Sequence, residues 1–317
     1  MTDSAAAAEA ARVAALREQL PAAGAGIYLD TATFGPLPAE AAAAMREADD
    51  WELRVGRVTA GRDEDVAQRA AEAGAVIGAL LGAGPEGIRL THGLAEATRL
   101  ARQVLGRDAP LVEHVSSTTG AGGAAVAGSI LDVSNSAGAI ALHADELGAD
   151  ALVLAADRWL LGPEGAAAVW LRDRAALASA PAPAPLPRTT LVGLARSVGW
   201  LEMYVGLEWI HGRTAALARH LRAALAATPG VEVVTPDPPP AAIVSFRLPA
   251  WPVAEAADEL GRRVFALLRP LSEHDLLRAS VGWFNTADEL DRFGAAVATL
   301  AAHTPATLPR RPPLVVR

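Results

Sequence analysis

The stretch from Asp150 to Val169, DALVLAADRWLLGPEGAAAV, limits what this chain can become more than any other. Ala151 to Ala155 is a short apolar run of strand type, and Ala166 to Leu171 is a second. Between them the chain breaks at Asp157-Arg158 and turns through Gly162-Pro163-Glu164-Gly165. A strand that ends in two opposed charges and hands over to a Gly-Pro turn is how α/β proteins present reactive groups at the carboxyl edge of a sheet. The expected fold class is therefore α/β, with Asp157 and Arg158 at a candidate site.

Composition removes several functions. The 317 residues carry a formal charge of -8 and no clustered basic patch, which argues against nucleic acid as a partner. No apolar run reaches membrane-spanning length. The opening MTDSAAAAEAARVAALREQL carries Asp3, Glu9 and Glu18 among its alanines, so it reads as an amphipathic helix and not a secretory signal, and a cytoplasmic location is expected. There is no cysteine, so thiolate nucleophiles, disulfides and zinc-thiolate sites are excluded. All 28 basic residues are arginine. Without lysine, no side chain can act as an amine nucleophile, because guanidinium stays protonated and its lone pairs are delocalised.

Taken in order, Ile27 to Pro38 (IYLDTATFGPLP) is a short strand and a Gly-Pro loop, followed by a helix from Ala39 to about Val55. Asp63 to Leu81 has helical spacing and stops at Gly82-Ala83-Gly84-Pro85. A strand to Thr91, a glycine turn at Gly93 and a helix from about Ala95 to Gly106 come next. Ser129 to Asp132 is a strand that ends in a polar turn. Ala178 to Pro187 is a Pro-Ala connector unfit for helix or internal strand. From Thr189 to Pro229-Gly230 the chain is helical, with two glycine interruptions. There Trp200, Trp209 and Tyr204 read as core or interface packing. His211 and His220 lack carboxylate partners at ligand spacing, so no metal site is expected. The remainder alternates: strands Val231 to Val234 and Ala242 to Leu248, a helix from Val253 to Leu268, a strand ending at Ser280, and a helix from Ala287 to His303. Thr286 and Glu289 have capping-box spacing. His143 and Asp145 read as surface, and the Pro-Arg tail after Thr304 as extended and peripheral.

These segments together resemble class V aminotransferases and cysteine desulfurases of the isopenicillin N epimerase-like branch, whose motifs occur here in the same order from Ile27 to His303. The resemblance implies a fold-type I subunit: a mainly parallel central sheet flanked by helices, a smaller C-terminal α/β lobe, and a homodimer. The large domain would span 27-190, with 1-26 and 191-317 forming the N-terminal helix, linking helix and small lobe. By the same resemblance, Thr91, Gly93, Glu96 and Ala97 match the turn that holds the cofactor phosphate, with Ala95 where a hydroxyl is usual and His92 beside it. His114, Val115, Ser116, Thr119 and Gly120 match a strand and loop, and His114 reads more simply as a satisfied loop histidine. Asp132 matches the aspartate that pairs with the pyridine nitrogen, and Asn135 stands for a glutamine. Arg278 matches the arginine that grips the substrate carboxylate. Arg158 falls where the family has its Schiff-base lysine. A long segment before Leu111, which supplies further strands and the side chain stacked on the ring, is absent, so the sheet is expected to be shortened.

The resemblance thus implies a degenerate member that forms no covalent pyridoxal phosphate (PLP), while noncovalent pyridoxamine phosphate stays open to it. Two functions follow. One is a PLP-independent enzyme of specialised metabolism acting on a small anionic or carboxylate substrate derived from an amino acid. Arg158, Arg278, Thr91 and His92 would bind it, with Asp132, Asp157, Arg158 or His114 in catalysis. The other is a noncatalytic anion-binding regulator or dimer partner, with Arg158 a plug salt-bridged to Asp132.

Overall fold

In the computed structural model, which describes residues 3–309, the chain opens with helices α1 (Asp3–Arg17) and α2 (Pro21–Gly24), strand β1 (Ile27–Tyr28), and helices α3 (Ala39–Val55) and α4 (Arg62–Leu80). Then follow β2 (Ile88–His92), α5 (Gly93–Leu105), β3 (Leu111–Glu113), β4 (Ile130–Asp132), β5 (Ala151–Ala155), β6 (Ala166–Leu171) and α6 (Arg174–Ser179). After the Pro-Ala connector come α7 (Arg188–Trp200), a π-helical turn over Leu201–Val205, and α8 (Leu207–Ala226). The C-terminal part holds β7 (Glu232–Val233), β8 (Ile243–Arg247), α9 (Val253–Val264), β9 (Ala266–Leu267), β10 (Arg269–Leu271), β11 (Leu276–Ser280) and α10 (Ala287–Ala301).

The central sheet has the order β2-β6-β5-β4-β3. β3, β4 and β5 are parallel neighbours, and β6 runs against both β5 and β2, so β6 alone is reversed. Every residue of β5 and β6 is buried, as strands covered on both faces require. Their side chains alternate between two cores. Ile130, Val153, Val169 and Leu171 pack with Ala97, Leu100 and Ala101 of α5. Leu131, Leu152, Leu154 and Trp170 pack with Ile77 of α4 and Leu191, Leu194 and Val198 of α7. A second, antiparallel sheet, β10-β11-β8-β7, lies under α8, α9 and α10, with Phe246, Phe293, Leu221 and Leu260 at its centre.

One sequence expectation shifts. The helix expected from Val253 to Leu268 stops at Val264, because Phe265 adopts a left-handed conformation (φ 55°) and caps it. Ala266 and Leu267 instead pair with Ile27 and Tyr28, and Arg269 to Leu271 pair with β11. The apolar run beyond Val264 fits the helical period locally, but its strands are held by chain far away in sequence. His220, which has no carboxylate at ligand spacing on its own helix, lies with Nε2 2.6 Å from Asp291 Oδ1 of α10. The tail beyond Pro309 lies outside the described residues. Among the described residues, no helix is long and apolar enough to cross a membrane.

Candidate functional site

Because β2, β3, β4 and β5 share a direction, their carboxyl ends meet at one edge of the sheet. The turn after Asp132 and the Asp157-Arg158 corner lie in the middle of that edge, whereas His92, after edge strand β2, and His114, after edge strand β3, lie toward its opposite ends.

The β5 corner is built tightly. Gly162 N–H bonds Ala156 O at 2.8 Å, Leu161 has φ 54°, and the buried Ser197 hydroxyl of α7 donates to Leu160 O and Leu161 O. Asp157 Oδ2 accepts from Gly165 N–H at 3.1 Å, and its carbonyl accepts from Gly35 N–H at 2.7 Å. A Cβ on Gly35 would collide with the Arg158 carbonyl, so glycine is required where the N-terminal loop crosses this corner. Burial raises the pKa of Asp157, against the opposing bond from Gly165 and the nearby Arg158 charge.

At the end of β4, Asp132 Oδ1 accepts from Ser134 N–H at 2.8 Å. Burial raises its pKa, while the Ser134 contacts and the Arg158 charge pull it down. Arg158 does not ion-pair with Asp132, contrary to the plug geometry. Its Nη1 donates to Asn135 Oδ1 at 3.1 Å, and Asn135 Nδ2 donates to Val115 O at 3.3 Å. Asn135 therefore takes up the guanidinium that would otherwise turn toward Asp132. His114 Nδ1 lies 2.7 Å from Ser136 Oγ, a satisfied loop histidine whose pKa burial lowers.

The β2–α5 turn is largely self-satisfied. Gly93 (φ 79°) gives its N–H to Gly165 O at 2.8 Å, and His92 N–H bonds Glu96 Oε2 at 2.8 Å. Thr91 is buried and donates to Gly93 O at 3.3 Å, while the His92 and Ala95 side chains are exposed. Part of the amide cluster that a helix N-terminus offers an anion is thus already spent.

Arg278, 5% exposed, is held through both Nη atoms, while its buried Nε has no partner. Nη1 donates to Ser117 O at 3.0 Å, and Nη2 reaches Asp30 Oδ1 at 3.2 Å and the Thr33 hydroxyl. Arg269 Nη2 also binds Asp30, at 2.9 Å. Burial lowers the pKa of Arg278, and the charges of Arg269 and Arg158 lower it further against the opposing Asp30. Sequence reasoning missed Asp30, Thr33, Arg269 and Ser117. The signal for Arg269 was a hairpin register that the overlong α9 concealed.

The site is not one of the larger cavities. A cleft of about 830 Å³ lies between α4, β2 and the Pro-Ala connector, and another of about 870 Å³ follows the outer face of α5. Neither is lined by Asp132, Arg158 or Arg278. No cluster of His, Asp and Glu suited to a metal ion occurs among the described residues. Nor do these residues fit a covalently held PLP: the β5 corner presents a guanidinium, and no lysine exists anywhere in the sequence to form the imine.

No family model and no curated protein matches the chain. Solved structures do. A mutant of the cystine C-S lyase C-DES, with glycine covalently linked to its PLP cofactor, superposes with a TM-score of 0.75 at 14% identity over 89% of this chain and 98% of that one. The apo cysteine desulfurase of Thermococcus onnurineus NA1 gives 0.74 at 16% identity over 91% and 98%. The cysteine desulfurase CsdA of Escherichia coli gives 0.72 at 18% identity over 90% and 97%. The fold is fold-type I aminotransferase-like.

Proposed function

We propose that this protein is a PLP-independent enzyme on a fold-type I scaffold, its pocket converted to take a small anionic substrate derived from an amino acid. The observation that carries this is charge. Arg158, Arg269 and Arg278 are brought together with Asp30 lodged between the last two, and the Asp132 carboxyl nearby is pushed by burial toward its neutral form. Surplus guanidinium at the mouth of a sheet favours an anion. In this reading Arg158 orients the anion, Asp132, whose pKa burial raises, is the proton donor and His114, whose pKa burial lowers, the acceptor. A noncatalytic, anion-binding role as a regulator or dimer partner is the second reading. It is favoured by the internal bonds that both Nη atoms of Arg278 and the β2–α5 turn already make.

Titration with inorganic phosphate tests the pocket. Arg158→Leu should weaken binding about tenfold, the scale of one charge-assisted hydrogen bond, and unchanged affinity sinks the proposal. In the same preparation, incubation with PLP and borohydride reduction should leave no side-chain adduct by peptide mass mapping. A reduced adduct on any residue but the terminal amine would refute the cofactor-free reading.

A further inference from the structure

The central sheet stops at β3, which has a hydrogen-bonded neighbour on one side only, β4. Pro110 O accepts from Ile130 N–H and His114 N–H bonds Asp132 O, so the β3 residue in phase with β4 is Val112. Strand alternation then turns the N–H and C=O of Leu111 away from the sheet, where no strand follows. The far end of the same edge is closed, because the backbone of Gly123 lies against Glu113 O and its N–H bonds His114 O. The opening is therefore local to Leu111, whose side chain is 43% exposed.

Leu111 also lines the cleft of about 870 Å³ that follows α5. Leu94 and Ala95 supply further apolar wall, and Arg99, Arg102 and Arg107 supply charge. No carboxylate lines this groove; the neighbouring acids Asp108 and Glu113 lie outside it. The three guanidinium groups are only lightly engaged. Arg99 meets Glu96 at 3.0 Å with 60% of its side chain exposed, Arg102 Nε makes one long bond to Ala109 O at 3.4 Å, and Arg107 is exposed. The helix beside the groove has 13 residues, about 20 Å at the usual rise, which is the span of about six residues of extended chain.

Charge selects the occupant. On a chain of net charge -8 this groove has the opposite sign, so it favours an acidic partner. A second copy docking through the same edge would set the two arginine groups against each other, and like charges so placed repel. No aromatic side chain lines the groove, which leaves nothing for a nucleic-acid base to stack on.

We propose that the groove between α5 and the Leu111 end of β3 docks an extended, acidic segment of a different protein in which apolar and acidic residues alternate. The segment's backbone pairs with Leu111 N–H and C=O, its apolar side chains seat on Leu94, Ala95 and Leu111, and its carboxylates meet Arg99, Arg102 and Arg107. The backbone contact sets register, and the arginines set the sign of the partner. Asp132, Arg158 and Arg278 take no part, so the docking site stands independently of the proposed function.

Peptide binding to the full chain, read by fluorescence anisotropy, tests this. A labelled octapeptide of alternating valine and aspartate should bind about tenfold more tightly than its valine–lysine counterpart, and Arg102→Glu/Arg107→Glu should reverse that order. Binding should also slow amide exchange at Leu111. Leu111→Pro removes the outward N–H while leaving the Val112 bonds to β4, and should weaken the acidic peptide about fivefold, the scale of one hydrogen bond. Should Leu111→Pro fail to fold, N-methylation of the peptide's valines decides on the wild-type chain, with the same loss expected. Equal affinity for a peptide of the same composition with its valines and aspartates in separate blocks, or for the N-methylated peptide, would mean bulk charge attraction and overturns the proposal. Absence of binding by every peptide would mean that the arginines only keep the strand edge from pairing, and equal competition by a single-stranded oligonucleotide would mean a nucleic-acid surface; either result also overturns it.

Discussion

Asp132 sits where its surroundings only half accommodate a negative charge. Arg158, the nearest candidate to neutralise it, spends its hydrogen bond on Asn135, so burial dominates and the carboxyl pKa rises above its ordinary 3.8. A raised carboxyl pKa contributes stability that is fully present below the ordinary value and lost as pH rises through the folded value. Asparagine keeps the Oδ1 acceptor for Ser134 N–H and carries no charge. Asp132→Asn should therefore be more stable than wild type in urea unfolding at about pH 8, with the gap closing as pH falls toward 4. A gap that widens on acidification would mean that Asp132 is stabilised as an anion. His114 works in the opposite sense: burial depresses its pKa below 6.5, so its cost appears only as pH falls through that range. The identities of Asp132, Asn135 and Arg158 were legible from motif order, but their pairing was not. Which acceptor a guanidinium selects depends on turn geometry of a few tenths of an ångström.

Among elements, those with a strong local pattern were legible from the sequence: α3, β5 and β6 begin and end where expected. So does the start of α10, where Thr286 Oγ1 accepts from Glu289 N–H at 3.2 Å and Glu289 Oε2 accepts from Thr286 N–H at 3.1 Å. Tertiary structure adds a second load to that cap. Arg17, at the end of α1, reaches both Glu289 oxygens at 2.7 and 3.0 Å, and Asn285 Nδ2 donates at 3.3 Å. Glu289→Ala should then cost about 3 kcal/mol, since it removes the side-chain half of the capping box and takes the only carboxylate from the partly buried Arg17. A loss of about 1 kcal/mol by urea unfolding would show that only the capping-box contact to Thr286 N–H matters. β9 and β10 were illegible because a two- or three-residue strand has no period of its own; it exists only through its partner.

Across the whole molecule, the two sheets are joined at a seam no motif announces. Three successive carbonyls in the loop after β3 each accept from a side chain of the C-terminal part: Ser117 O from Arg278 (3.0 Å), Thr118 O from Ser245 (2.6 Å) and Thr119 O from Thr235 (2.7 Å). The Thr235 hydroxyl also accepts from the buried Ser245 N–H at 2.8 Å, so Ser245→Ala with Thr235→Val should cost about 3 kcal/mol, roughly 1 for each of the bonds lost, and should speed amide exchange from Ser116 to Gly123 more than in β5. Uniform acceleration across both sheets would mean the seam is not a separate unit of stability. The sequence alone determined the α/β class, the periodic helices, the buried strands β5 and β6, and the absence of any lysine or cysteine chemistry, because each is written in local pattern or composition. The tertiary structure alone decided that Asp30 occupies Arg278 across 248 residues of chain, that Arg158 turns to Asn135, and that β1 finds β9. Ion pairs and short strands depend on which distant groups the folded backbone brings within 3 Å or so, and a single sequence carries no local signal of that distance.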